Sequence, residues 1–198
     1  MNFMEQVEEA KKLQRRLNID EIRNSLNEGW VKTKINNHIK KFDGLFTYED
    51  IIEQIKSNDI VASMFCKDPS KQNISEKMVE KILGIPKLPA SGANSIRFTP
   101  NGELTRVKSI GTSKSADFLF NGIYFTQKYT TENGGAQDNQ YNDVVDFLVK
   151  GSINNKVGAM VDGKYWDNKK RDALREHFKD NPNVVVVSVD DLIKKEVV

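Results

Sequence analysis

Ser115-Ala116-Asp117-Phe118-Leu119-Phe120, then Asn121-Gly122, then Ile123-Tyr124-Phe125-Thr126-Gln127-Lys128-Tyr129-Thr130 is the stretch whose reading decides the fold. Two β-prone runs are joined by Asn-Gly, the pair that most readily takes two successive positive φ angles, so the segment reads as a β-hairpin. Downstream, Gly134-Gly135-Ala136-Gln137-Asp138-Asn139-Gln140 leads into a helix with Val144, Phe147 and Leu148 toward the core. Residues 156–161 read as a strand, 166–178 as a helix and Val184-Val185-Val186-Val187 as a second strand, with Asp190 expected to cap a short closing helix. Both late strands are apolar enough to be covered on two faces, and the intervening helices are long enough for crossovers. The expectation is an α/β fold with a central mixed β-sheet flanked by helices.

Upstream, residues 1–66 read as helices broken by short loops. Met4, Val7, Leu13 and Leu17 approximate one apolar stripe, and Lys11, Lys12, Arg15 and Arg16 form a charged face. Thr47 is placed to cap a helix carrying Ile51, Ile52 and Ile55. After the turn at Asp68-Pro69-Ser70, a helix starts near Ser75, carries Glu76, Met78, Val79, Ile82 and Leu83, and stops at Gly84. A second hairpin is expected between 95–98 and 104–107, reversing at Pro100-Asn101-Gly102-Glu103. The length suits one domain over 1–198, comprising a helical elaboration at 1–66 and an α/β core at 67–198.

Lys and Arg number 30 against 28 Asp and Glu, and a net charge of +2 does not by itself mark a nucleic-acid binder. The single Cys66 excludes an intramolecular disulfide, and His38 and His177 form no zinc-ligand spacing with it. Its apolar setting makes Cys66 a small buried hydrophobe. The first residues lack a secretory leader pattern and no run approaches a membrane span, so the expectation is a cytoplasmic protein with no membrane partner.

Chemistry concentrates on the central hairpin. Asp117 sits near the start of one strand and Lys128 near the end of the next, and alternation through Tyr124, Thr126 and Lys128 aims the ammonium toward the carboxylate. An acid with a nearby cation suits phosphodiester hydrolysis, where Mg²⁺ takes oxygen ligands and Lys128 orients water or offsets phosphate charge. Glu76 and Glu132 are the candidates for a second acidic ligand. Gln137, Asn139 and Gln140 can bridge DNA base edges or phosphates, or else close the loop locally. Lys114, Arg171 and Arg175, with Lys108 and Arg106, can track phosphates, each having solvation as its ordinary alternative.

The order Ser115-Ala116-Asp117, hairpin, Thr126-Gln127-Lys128, then the 134–140 segment and a helix resembles the PD-(D/E)xK nuclease superfamily, particularly small type II restriction endonucleases. The resemblance implies a restriction-endonuclease-like fold with a catalytic core at 67–198. It assigns metal binding to Asp117 and assistance to the chemistry to Lys128. Glu76 resembles an upstream helical carboxylate found in parts of the superfamily. Thr126 stands where the family has Asp or Glu, and a hydroxyl does not replace a full negative charge, so Glu76 or Glu132 completes the site, a backbone or water ligand suffices, or catalysis is weakened. The implied function is Mg²⁺-dependent, sequence-specific cleavage of double-stranded DNA by a homodimer matched to a palindromic site. The alternatives are a catalytically weakened DNA-binding protein on the same scaffold and a structure-specific repair nuclease.

Overall fold

A computed structural model describes residues 1–131 and 135–194, without the side chains of 135–137. The chain groups into two compact units, 5–74 and 1–4 together with 75–198.

The helical unit takes in most of α1 (Phe3–Asn24) and the helices α2 (Gly29–Lys41), α3 (Tyr48–Ser57) and α4 (Asp59–Phe65). Thr47 caps α3 through a complete capping box with Asp50, and Asn58 caps α4. Ile22, Val31, Ile35, Ile55, Ala62 and Phe65 form its core, and Cys66 lies buried beside them. The turn after α4 is drawn in by Asn18, whose amide donates to Lys67 O at 2.8 Å and to Gln72 Oε1 at 2.6 Å. The buried positions of α1 are Phe3, Val7, Asn18 and Ile22; Leu13 and Leu17, expected inside, are exposed at 59% and 52%. A buried, fully bonded Asn18 takes an inward position on α1 that an apolar stripe does not anticipate.

The α/β unit holds α5 (Ile74–Leu83), a small hairpin of β1 (Arg97–Phe98) and β2 (Leu104–Thr105), and a four-stranded sheet. The sheet order is β3 (Phe118–Phe120), β4 (Ile123–Tyr129), β5 (Val157–Asp162), β6 (Val184–Val187). β3 and β4 are antiparallel, and the pairs β4·β5 and β5·β6 are parallel, with α6 (Gly135–Gly151) and α7 (Asn168–His177) as crossovers. The mixed, helix-flanked α/β sheet expected from the sequence is therefore present. Asn121 and Gly122 take φ of 50° and 77°, the two positive values a tight hairpin turn requires.

Val144, Phe147 and Leu148 from α6 and Leu174 from α7 share one apolar cluster with Val157, Ala159 and Val161 of β5. Gly158, Met160 and Asp162 alternate to the other face, and every residue of β5 is buried, as a strand covered on both sides must be. Gly158 is needed there, because a Cβ would lie 2.2 Å from a Phe125 ring carbon. Trp166 is fully buried and stacks on Tyr141. The last helix, α8 (Val189–Ile193), is capped by Ser188 in a box with Asp191, while Asp190, the expected cap, instead accepts Phe3 N at 2.9 Å. Ser188 lies one residue before the helix, where its hydroxyl reaches Asp191 N; Asp190 is already inside the first turn.

Candidate functional site

Asp117 sits where the β3–β4 ladder ends. Phe118 pairs with Phe125, yet Asp117 N also donates to Phe125 O at 2.8 Å, so two residues oppose one and the edge bulges. Asp117 O turns away to accept Leu88 N at 2.7 Å. The freed acceptor position toward β4 is filled by the Asp117 side chain, whose Oδ2 takes Gln127 N at 2.8 Å and Thr126 Oγ1 at 3.2 Å. Asp117 Oδ1 enters no hydrogen bond among the described residues. The carboxylate is thus oriented through one oxygen and available through the other.

Asp117 and Thr126 meet side chain to side chain, and Lys128, two residues along β4, lies on the same face, half-buried beside Val161 of β5. A diagonal neighbour in an antiparallel pair sits roughly 7–8 Å away, within reach of a long side chain. Among the described residues no ion pair joins Asp117 to Lys128. Both groups therefore belong to one face of the sheet without neutralising each other.

Glu76 does not stand alone on α5. Its carboxylate is bonded to Lys87, and Glu80 Oε1 accepts Lys87 N at 2.7 Å, so both acids of this helix fasten the segment that delivers Leu88 N to Asp117 O. Glu132 lies outside the described residues, as does the side chain of Gln137. Among the described residues no group of three or more His, Cys, Asp or Glu gathers to hold a metal ion.

The remaining candidates divide by how their polar groups are occupied. Gln140 accepts from Thr130 Oγ1 at 2.7 Å, tying the first turns of α6 to the end of β4. Asn139 is exposed, and Lys114 lies 3.9 Å from Asp143 in a solvated pair. Arg171 donates to Trp166 O at 2.8 Å and to Val161 O at 3.4 Å, clasping the β5–α7 connection. Arg175 donates to Val186 O at 2.9 Å and to Asp172 and Asp191, each at 3.1 Å. Both guanidiniums are engaged inside the α/β unit.

Three residues that the sequence reading passed over stand close to this chemistry. Lys87, between two prolines, carried no periodic signal. Gln127 is 3% exposed and its Nε2 has no hydrogen-bond partner among the described residues, a position visible only once the middle of β4 is seen to be buried. Asp162 ends a parallel strand, the place where α/β sheets gather functional side chains, and Val161-Asp162-Gly163 carried that signal in the sequence. Burial pushes the Asp162 carboxyl up to about 7, only partly opposed by Val189 N–H at 3.1 Å and by Arg171.

No family model, curated protein or solved structure matches the chain.

Proposed function

We propose that the chain is a type II-like restriction endonuclease that hydrolyses phosphodiesters of double-stranded DNA at a short specific sequence with Mg²⁺, as a cytoplasmic homodimer. The observation that carries this reading is the oriented, half-engaged carboxylate of Asp117 at the open end of the β3–β4 ladder, on the same sheet face as Lys128. Mg²⁺ is commonly held by one or two protein carboxylates, with water and phosphate oxygens completing the shell. Asp117 Oδ1 would take the first place, and Glu76, now bonded to Lys87, is the acidic candidate for the second. Bound there, the ion supplies Lewis acidity toward a phosphate oxygen and a more acidic water.

The chain's own groups have separable tasks. Gln127 N–H and the Thr126 hydroxyl hold the Asp117 carboxylate in one orientation. The Lys128 ammonium offsets charge gathering on the scissile phosphate and orients the attacking water. Lys87, next to Leu88, adds a second cation on the α5 side.

Thr126 also favours a second reading. It places a hydroxyl where the resembled family has a carboxylate, and that hydroxyl bonds to Asp117. A nuclease-like scaffold that binds DNA with weakened catalysis fits this donor set. Purified protein incubated with mixed-sequence duplex in Mg²⁺ or EDTA, with every cut end mapped, separates the readings. Cuts at one short motif support restriction, and cuts confined to branched substrates support a structure-specific repair enzyme. Tight binding without cuts supports the weakened module, and neither binding nor cutting overturns all three.

A further inference from the structure

The β1–β2 hairpin carries a second positively charged feature, separate from Asp117 and Lys128. Arg97 on β1 is only 7% exposed, and its guanidinium donates to Ser113 O at 3.0 Å and Ala90 O at 2.9 Å. Its Nε is buried with no acceptor, and among the described residues no carboxylate pairs with it. A buried cation held only by neutral carbonyls lacks the counter-charge that normally makes such burial tolerable.

Arg97 lines a cleft of about 570 Å³, together with Arg106 and Lys108 from the loop after β2, and with Ser91, Gly92 and Ser95 from the opposite loop. Ser95 closes one side, its hydroxyl donating to Gly92 O at 3.0 Å with Arg106 O as the longer alternative acceptor at 3.4 Å. Arg106 and Lys108 are exposed and form no ion pair among the described residues, and no acidic side chain lines the cleft. The basic cleft along α1 differs, because Glu8 and Asp68 are part of its wall.

We propose that this cleft binds a phosphate group, and that the phosphate is one of the backbone phosphates of duplex DNA. Arg106 and Lys108 supply direct donors at the rim, and the uncompensated charge of Arg97 supplies the field behind them. The phosphate chemistry stands on the cleft itself; its source as DNA rests on the function proposed above.

Two titrations of the full chain test the two parts separately. In the first, inorganic phosphate is added to ¹⁵N-labelled protein while the Arg97 Nε–H and the amides of 91–95 and 106–108 are followed by NMR. Saturable shifts in the wild type, lost in Arg106→Ala/Lys108→Ala, support the site; no saturable shift overturns it. In the second, binding of a labelled mixed-sequence duplex is measured against salt concentration. The double variant is expected to bind about tenfold more weakly, with the salt slope reduced by about 1.8. Lys40→Ala/Lys41→Ala, which removes the same charge from α2, leaves both values near wild type. Duplex binding unchanged in Arg106→Ala/Lys108→Ala overturns DNA as the source of the phosphate. Saturable phosphate shifts with no duplex binding by the wild type keep the anion site and overturn the nuclease reading. Both double variants change only exposed positions, and matched thermal melts verify that folding is preserved.

Discussion

Asp117 and Asp162 flank β4 on opposite faces of the sheet, and both are nearly closed to solvent, at 8% and 2% exposure. Asp117 accepts a backbone N–H and a hydroxyl through one oxygen, on the face it shares with Thr126 and Lys128. The Asp162 carboxyl, on the face of Met160, accepts Val189 N–H alone among the described residues, with Asp190 and Asp191 adding negative charge nearby. Burial raises its carboxyl to about 7, which makes Asp162 a proton-holding group near neutral pH. The difference teaches that burial alone does not define a ligand: a carboxylate suited to a cation is one whose charge is already supported by donors.

Replacing Asp117 with Ala gives the largest expected effect, a loss of DNA cleavage of about 10³-fold or more with the thermal transition still cooperative. Undiminished cleavage by that variant removes Asp117 from the chemistry. Lys128→Ala is expected to slow single-turnover cleavage by about 10²-fold with little change in duplex affinity; a loss in affinity equal to the loss in rate assigns Lys128 to binding instead.

Asp162→Asn sharpens the other half of the comparison. Asparagine keeps an acceptor for Val189 N–H but has no proton to lose. Below about pH 3 the wild-type carboxyl is largely neutral in both folded and unfolded chains. As the pH rises from the ordinary value of 3.8 to about 7, the unfolded chain ionises first and wild-type stability falls. The variant is therefore expected to match the wild type at about pH 3 in urea melts and to exceed it by about 2–4 kcal/mol at pH 8. Equal stability at both pH values contradicts the raised pKa of Asp162. The smallest effect is expected for Thr126→Val, which removes one hydrogen bond to Asp117 and costs about 1 kcal/mol of stability. A stability unchanged within error shows that the hydroxyl is not what steadies the carboxylate.

The hairpin at Asn121-Gly122 was legible because its turn chemistry is local, and the two parallel strands were legible because their runs are apolar on both faces. The Thr47 cap was legible for the same local reason. Leu13 and Leu17 misled, since helical spacing names a stripe without saying which stripe is covered. Asp117 and Lys128 were placed on one face by strand alternation alone. The bulge that turns the Asp117 carboxylate into a ladder acceptor was not, because it depends on Leu88 arriving from outside the hairpin.

The engagement of Glu76 by Lys87, of Arg171 by carbonyls and of Arg175 by Asp172 and Asp191 was equally hidden. By itself the sequence determined the order of elements, the position of the tight turn and the strands that must be covered, since those follow from backbone preference and side-chain periodicity over a few residues. Only the tertiary structure decided which charged groups are already satisfied and which, like Arg97, are buried without a counter-ion. Hydrogen-bond partners come from distant parts of the chain, and spacing along the chain carries no record of them.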